Sequence, residues 1–162
     1  MVKCSNFMGD ALDMAAAEQF AEVLLVGHIG KLVKLAGGIM NTHSRMADCR
    51  TELFCTHAAL CGASQATCRA LMDAATTDAC LDILDAENPA GACARKPIAG
   101  HPAASGPPRG GGRSGWGPVL FSNQAGPLGQ TETAARLLQS WQKKRSNEVW
   151  YILWAQAPAH RI

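Results

Sequence analysis

Between Glu22 and Lys34 the chain runs through Glu22-Val23-Leu24-Leu25-Val26, then Gly27-His28-Ile29-Gly30, then Lys31-Leu32-Val33-Lys34. A short run of branched apolar residues ended by glycine has the pattern of a parallel strand buried on both faces. Such a strand needs helices on both sides of its sheet, and this narrows the fold class to α/β. Ahead of it, Ser5 to Phe20 reads as a helix. Ser5 or Asn6 can accept the unpaired amides of its first turn, and Leu12, Ala15, Ala16 and Phe20 recur at spacings of three and four. Helix, strand, glycine turn and helix together predict part of a doubly wound, Rossmann-like sheet with flanking helices. In an open sheet of that kind a ligand lies outside the carboxyl ends of the strands, which directs attention to residues 27–30 and the polar segment beyond them.

The next helix is expected from Gly30 to Ala36, with Lys31 and Lys34 on one face and Gly37-Gly38 stopping it. Ala47 to Gly62 also reads as helical, with Leu53, His57, Leu60 and Cys61 on one side, and Thr77 is placed to cap a helix through Leu84. After Asn88 the composition shifts. Residues 89–118 hold six of the eight prolines and eight of the sixteen glycines, with no apolar period, so this Pro/Gly-rich stretch is expected to interrupt the domain as an irregular segment. Order is expected again at Val119-Leu120-Phe121-Ser122, a strand, followed by Gly126 to Glu132, where Thr131 opens a helix to about Trp141. The aromatic run from Glu148 to Trp154 is strand-like. The resulting division is an α/β domain over 1–88, the irregular segment 89–118, a completing strand and helix over 119–145, and a tail over 146–162.

A chain of 162 residues is the size of one ordinary domain, and 48% hydrophobic with 17% charged residues are globular values. The net charge of +2 lacks the basic excess of a nucleic-acid binder. No run of about 18 apolar residues suggests a membrane span, and no apolar leader is evident, so the expectation is a cytoplasmic protein. Cys4, Cys49, Cys55, Cys61, Cys68, Cys80 and Cys93 are odd in number and form no CxxC pair, and they read as reduced thiols. A zinc site from Cys49, Cys55, Cys61 and His57 would lack the short two-to-four-residue bite of structural zinc sites.

Backbone amides at a helix N-terminus attract anionic or strongly polar groups, and Gly27 and Gly30 would let a ligand come close to them, beside Lys31. The segment is neither a Walker loop nor a GxGxxG turn. A tight turn needing positive φ explains the same glycines. His28 and His43, each flanked by polar residues at an expected strand edge, are candidate acid–base groups, although a histidine near a turn is often only a hydrogen-bonding core residue. Asp48 can orient His43 or Arg50, or serve as first-turn charge on the following helix. A metal-dependent hydrolase built on His28, His43 and Asp48 is the reading those residue types permit without further support.

Several ordered motifs go beyond local chemistry: Lys3-Cys4-Ser5-Asn6 with Gly9, Leu12-Asp13, Leu25-Val26-Gly27-His28-Ile29-Gly30-Lys31-Leu32-Val33-Lys34, Gly37-Gly38, Asn41-Thr42-His43-Ser44, Ala47-Asp48, Arg50 and Glu52. With the later Val119-Leu120-Phe121-Ser122 and Gly126-x-Leu128-Gly129-x-Thr131-Glu132, they resemble the cobalt-precorrin-5B C-1-methyltransferase family of anaerobic cobalamin biosynthesis. The resemblance covers residues 1 to about 88 and about 119 to 141, and corresponds to the C-terminal half of the much longer family members.

That resemblance implies methyl transfer from S-adenosylmethionine to carbon 1 of a cobalt-bound, ring-contracted tetrapyrrole, giving cobalt-precorrin-6A. Cobalt would enter only as part of the substrate, with no metal site in the protein. It implies substrate or donor binding by Ser5, Asn6, Gly9, Gly27, Gly30, Lys31, Lys34, Asn41, Thr42, Ser44, Arg45, Arg50, Ser122, Gly129, Thr131 and Glu132, and proton movement by His43 or His28 with Asp48. Lys31, Lys34, Arg45 and Arg50 would meet the acid arms of the macrocycle. A separately encoded N-terminal half is the implied protein partner, with no nucleic acid or membrane. The alternative is a non-catalytic tetrapyrrole- or nucleoside-binding fragment. The family carries an amphipathic helix where this chain has 89–118, so that segment is read either as translated out of frame or as an insertion.

Overall fold

The computed structural model describes residues 2–87, 115–143 and 151–155. In chain order they form β1 (Val2–Lys3), α1 (Met8–Ala17), β2 (Glu22–His28), α2 (Ile29–Ala36), α3 (Arg50–Leu60), α4 (Gln65–Met72), α5 (Thr77–Ala86), β3 (Gly115–Ser122), β4 (Gly126–Gln130), α6 (Glu132–Lys143) and β5 (Tyr151–Ala155). The sheet order is β1-β5-β2-β3-β4. β1, β5, β2 and β3 are parallel, whereas β4 folds back antiparallel on β3. The α/β class is therefore met by a mixed sheet rather than an all-parallel one.

β2 is the interior strand its sequence predicts. It pairs with β3 from Glu22↔Gly115 to His28↔Phe121 and with β5 from Val23↔Tyr151 to Gly27↔Ala155. Val23, Leu24 and Leu25 are 1%, 2% and 0% exposed. Alternation sends Val23 and Leu25 into the main core with Leu12 of α1, Leu32 of α2, Phe54 of α3 and Leu120 of β3. Leu24 faces the other way, as does its partner Gly117, against α6. Crossovers α1 and α2 to α5 step one way along the sheet over the first face, and α6 returns over the second, as crossovers of one hand require.

Gly117 explains why part of the glycine-rich stretch is regular. A Cβ there would stand 2.6 Å from both the Ala134 amide nitrogen and Thr131 Oγ1, so only glycine lets α6 close on the sheet. Gly115 to Pro118, expected as the end of an irregular segment, is thus the first half of β3. Pro118 lies just outside the stretch of β3 that β4 covers, Val119 to Ser122. The rest of that segment, with its frame question, lies outside the described residues.

Other boundaries moved for local reasons. Gly27 is a strand residue and Gly30 lies in the first turn of α2, and neither has the positive φ that a tight turn would need. Positive φ occurs instead at Gly38, Gly62 and Gly126, and Gly38 follows α2 where the Gly37-Gly38 stop was expected. Thr76, not Thr77, caps α5, its hydroxyl accepting the Ala79 N–H at 3.1 Å. α4 is hard to see in the sequence because its polar first turn hides the Ser64 cap, which accepts the Thr67 N–H. α3 starts at Arg50 and buries Phe54, His57 and Ala58, whereas Leu60 is 80% exposed. The aromatic run near the end supplies β5, inserted between β1 and β2.

Candidate functional site

The parallel strands end together, so Ser5-Asn6 after β1, His28 at the end of β2 and Ser122 at the end of β3 share the carboxyl edge of the sheet. Strand spacing puts the β1 loop roughly 10 Å from the end of β2, with β5 between them. Two clusters form there.

The first joins motifs far apart in sequence. The Thr42 amide donates to the Asn6 carbonyl at 2.9 Å, and Thr42 Oγ1 lies 3.4 Å from Asn6 Oδ1. Gly9 donates its N–H to the Met40 carbonyl at 3.0 Å, and a Cβ on Gly9 would come within 2.9 Å of Met40 Cβ. This junction rests on two buried lysines of α2. Lys31 Nζ donates to the Ser5 carbonyl at 3.3 Å. Lys34, 2% exposed, donates to the carbonyls of Thr42 (3.3 Å) and Ala47 (2.9 Å), with Asp48 Oδ1 at 3.8 Å. Burial pushes the Lys31 ammonium below its ordinary value. Both lysines therefore pin the loops from beneath rather than facing outward.

Beyond the junction the loop turns on itself. Asn41 Oδ1 accepts the His43 N–H and His43 Nδ1 accepts the Arg45 N–H, both at 3.1 Å, and His43, Ser44 and Arg45 are exposed. Asp48 takes Arg50 in a two-pronged ion pair, Nη2 to Oδ2 at 2.6 Å and Nε to Oδ1 at 2.8 Å. That hydrogen bonding to Arg50 holds the Asp48 carboxyl below its usual range.

The second cluster is built around His28, 6% exposed at the N-cap of α2. Its Nδ1 accepts the Gly30 N–H at 3.1 Å, so the neutral ring carries its proton on Nε2. Nε2 lies 4.0 Å from Asp78 Oδ2 in the first turn of α5. Asp78 Oδ1 accepts a hydrogen bond from Ser122 Oγ, and that oxygen accepts the N–H groups of Gln124 and Ala125. Phe121 meets the imidazole edge-on at 5.8 Å. Burial lowers the His28 pKa, with the Asp78 charge acting in opposition. The Asp78 side chain is 24% exposed, against 8% for His28, so the carboxylate is the more accessible of the two. A Cβ on Gly30 would come 3.2 Å from His28 Nδ1 and 3.3 Å from Thr77 Oγ1, and this makes Gly30 part of the same packing.

The structure thus brings Ser5, Asn6, Gly9, Asn41 and Thr42 into one junction and His28, Gly30 and Ser122 into another cluster. Gly27 is strand backbone, paired with Leu120 and Ala155. Gly129, Thr131 and Glu132 lie apart from both, because β4 carries the chain back along β3: Gly129 pairs with Leu120, and the Thr131 N–H reaches the Pro118 carbonyl at 3.2 Å. That is roughly 13 Å along the strand from Ser122. Thr131 instead caps α6, accepting the Ala134 N–H at 3.2 Å. The hydrolase set is split, with His28 in one cluster and Asp48 beside Arg50 and Lys34 in the other.

Asp78 was not singled out from sequence, and Thr77 was expected only as a helix cap. Asp78 reads as ordinary first-turn charge on a capped helix, and only the approach of α5 to the ends of β2 and β3 gives it partners.

Cys4, Cys49, Cys55, Cys68 and Cys80 are free thiols, whereas Cys61, expected reduced, is disulfide-bonded. Among the described residues no group of three or more His, Cys, Asp or Glu side chains is placed to hold a metal ion. No helix among them is long and apolar enough to cross a membrane.

Residues 41–132 match the family model described as CbiD, C-terminal domain. The chain is 56% identical over 77 residues to a protein of Ruminiclostridium cellulolyticum named cobalt-precorrin-5B C(1)-methyltransferase, covering 48% of this chain and 20% of that protein. Proteins of the same name from Methanobrevibacter smithii and Alkaliphilus metalliredigens are 44% identical over 88 residues and 42% over 84, covering 54% and 52% of this chain and 24% and 22% of those proteins. The match thus spans about a fifth to a quarter of these relatives' length. No solved structure matches the chain.

Proposed function

The chain belongs to the CbiD C-terminal domain family, and from that membership we propose that it forms the carboxyl-edge part of an S-adenosylmethionine-dependent C-1-methyltransferase acting on cobalt-precorrin-5B to give cobalt-precorrin-6A. The observation that carries this reading is the His28–Asp78–Ser122 cluster standing at the strand ends beside the Ser5-Asn6/Asn41-Thr42 junction. Strand ends of this kind are where an open α/β sheet takes its ligand. We read the sheet as a small doubly wound one, on the support of α6 covering the face opposite to α1 and α2.

When bound, the sulfonium donor would supply the methyl, its S–CH3 bonding electrons leaving on sulfur as an electron pair of C-1 forms the new carbon–carbon bond. The chain's own groups suit such a donor in one respect, since Asp78 offers a partly exposed carboxylate to a cationic or hydroxyl-bearing ligand. Ser122 and His28 Nε2 flank that carboxylate and orient it. Both ring nitrogens of His28 face partners within the fold, so a proton leaving this edge of the site passes to Asp78 rather than directly to the imidazole. Because Lys31 and Lys34 are engaged by backbone carbonyls, the acid arms of the macrocycle fall to exposed cations such as Arg45. Most of the reaction's demand is alignment and exclusion of water, which a rigid strand-end site provides.

The test is methyl transfer from labelled S-adenosylmethionine to cobalt-precorrin-5B, with the chain alone and with the N-terminal part of a relative supplied separately. Transfer only in the second case is expected. No transfer in either, alongside an active full-length relative, overturns the proposal. The small share of each relative that the chain matches favours a second reading, a non-catalytic tetrapyrrole- or nucleoside-binding fragment. Saturable binding of the donor or corrinoid without turnover in either mixture would select it.

A further inference from the structure

Helices α3 and α4 form a hairpin turned at Gly62, which has φ +84°. Cys55 precedes that turn by seven residues and Cys68 follows it by six, so the antiparallel helices carry both to the same groove. Both are free, partly exposed thiols. They line an open groove of about 430 Å³ together with Gln65, Arg69, Met72 and Asp73. None of these residues belongs to either carboxyl-edge cluster, so the groove is not accounted for by the methyl-transfer reading.

We propose that Cys55 and Cys68 are a reversible dithiol–disulfide pair, oxidised by low-molecular-weight disulfides entering this groove. Thiols that line one groove from neighbouring antiparallel helices need only close to about 2 Å, and a hairpin of two short helices allows that movement. The chemistry balances without a metal. The Cys68 thiolate attacks the small disulfide, forming a mixed disulfide and releasing one thiol. Cys55 then gives up its proton and attacks the Cys68 sulfur, releasing the second thiol. Two protein thiols are oxidised to one disulfide, and one small disulfide is reduced to two thiols. Burial, followed by the neighbouring Cys68, raises the Cys55 pKa, which suits it to the second, resolving step. The bond would staple α3 to α4.

The experiment is incubation of the purified chain with oxidised glutathione at neutral pH, followed by alkylation and peptide mapping by mass spectrometry. A Cys55–Cys68 crosslink is expected to accumulate at least about tenfold faster than any crosslink to Cys49, because these two thiols line one groove and Cys49 does not. The melting temperature should rise by about 5 °C and fall back on adding a reducing thiol. In Cys55→Ser, with its circular dichroism unchanged, Cys68 should stop at the glutathione adduct. Full alkylation of both cysteines after oxidation, or separate glutathione adducts on each in the parent chain, overturns the proposal. This outcome is independent of whether methyl transfer is found.

Discussion

Single buried polar groups carry much of the site's shape. Lys34 holds the carbonyls of Thr42 and Ala47 through one ammonium, so Lys34→Met is expected to destabilise the chain by about 2–3 kcal/mol in urea unfolding, through unpaired buried carbonyls and a lost ion pair. His28 gives a pH dependence with a definite sign. Its folded pKa lies below its ordinary value of about 6.5, so the unfolded chain binds a proton first as the pH falls. Stability present above that value is therefore lost between it and the lower folded pKa. The melting temperature should drop from pH 7.5 to 5.5, less so in His28→Asn, which keeps an N-cap side chain but does not titrate, and more steeply in Asp78→Asn, which removes the charge that opposes the shift. An equal slope in all three proteins would refute this. Asp48 works in another window: its depressed pKa adds stability above the ordinary carboxylate value, and that is lost only at more acid pH.

At the scale of elements, the contact of β3 with α6 depends on the absence of one methyl group. Gly117→Ala would drive a Cβ into the first turn of α6 and is expected to cost about 3 kcal/mol. Gly115→Ala, whose Cβ would meet only Thr133 Cγ2 at 3.9 Å, should change stability by less than about 0.5 kcal/mol. Thermal melts of the two variants side by side distinguish a packing requirement from a general preference for glycine in the strand. The residue pattern reveals β2, α2 and the stop at Gly37-Gly38 because each is set by neighbours in sequence. It conceals the first half of β3 because Gly-Trp-Gly-Pro has the composition of a loop, and the helix that makes glycine necessary at 117 begins fifteen residues later at Glu132.

At the scale of the molecule, β5 is the element that closes the sheet. It lies between β1 and β2, so truncation after Lys143 would strip β1 of its partner and leave one edge of β2 unpaired. We expect such a truncation to lose its cooperative thermal transition and to elute as aggregate in size-exclusion chromatography, since an apolar strand with an open edge recruits other chains. The amino-acid sequence alone determined the α/β class, the family and the positions of the interior strand and its glycine-bounded helix, because apolar period, caps and motif order are local properties of the chain. Only the tertiary structure decided what those residues do. Lys31 and Lys34 look like ligand-facing cations until α2 packs beneath two loops, and Asp78 looks like first-turn charge until α5 meets the ends of β2 and β3. Burial and partner identity are properties of packing across the sheet, and no spacing along the chain encodes them.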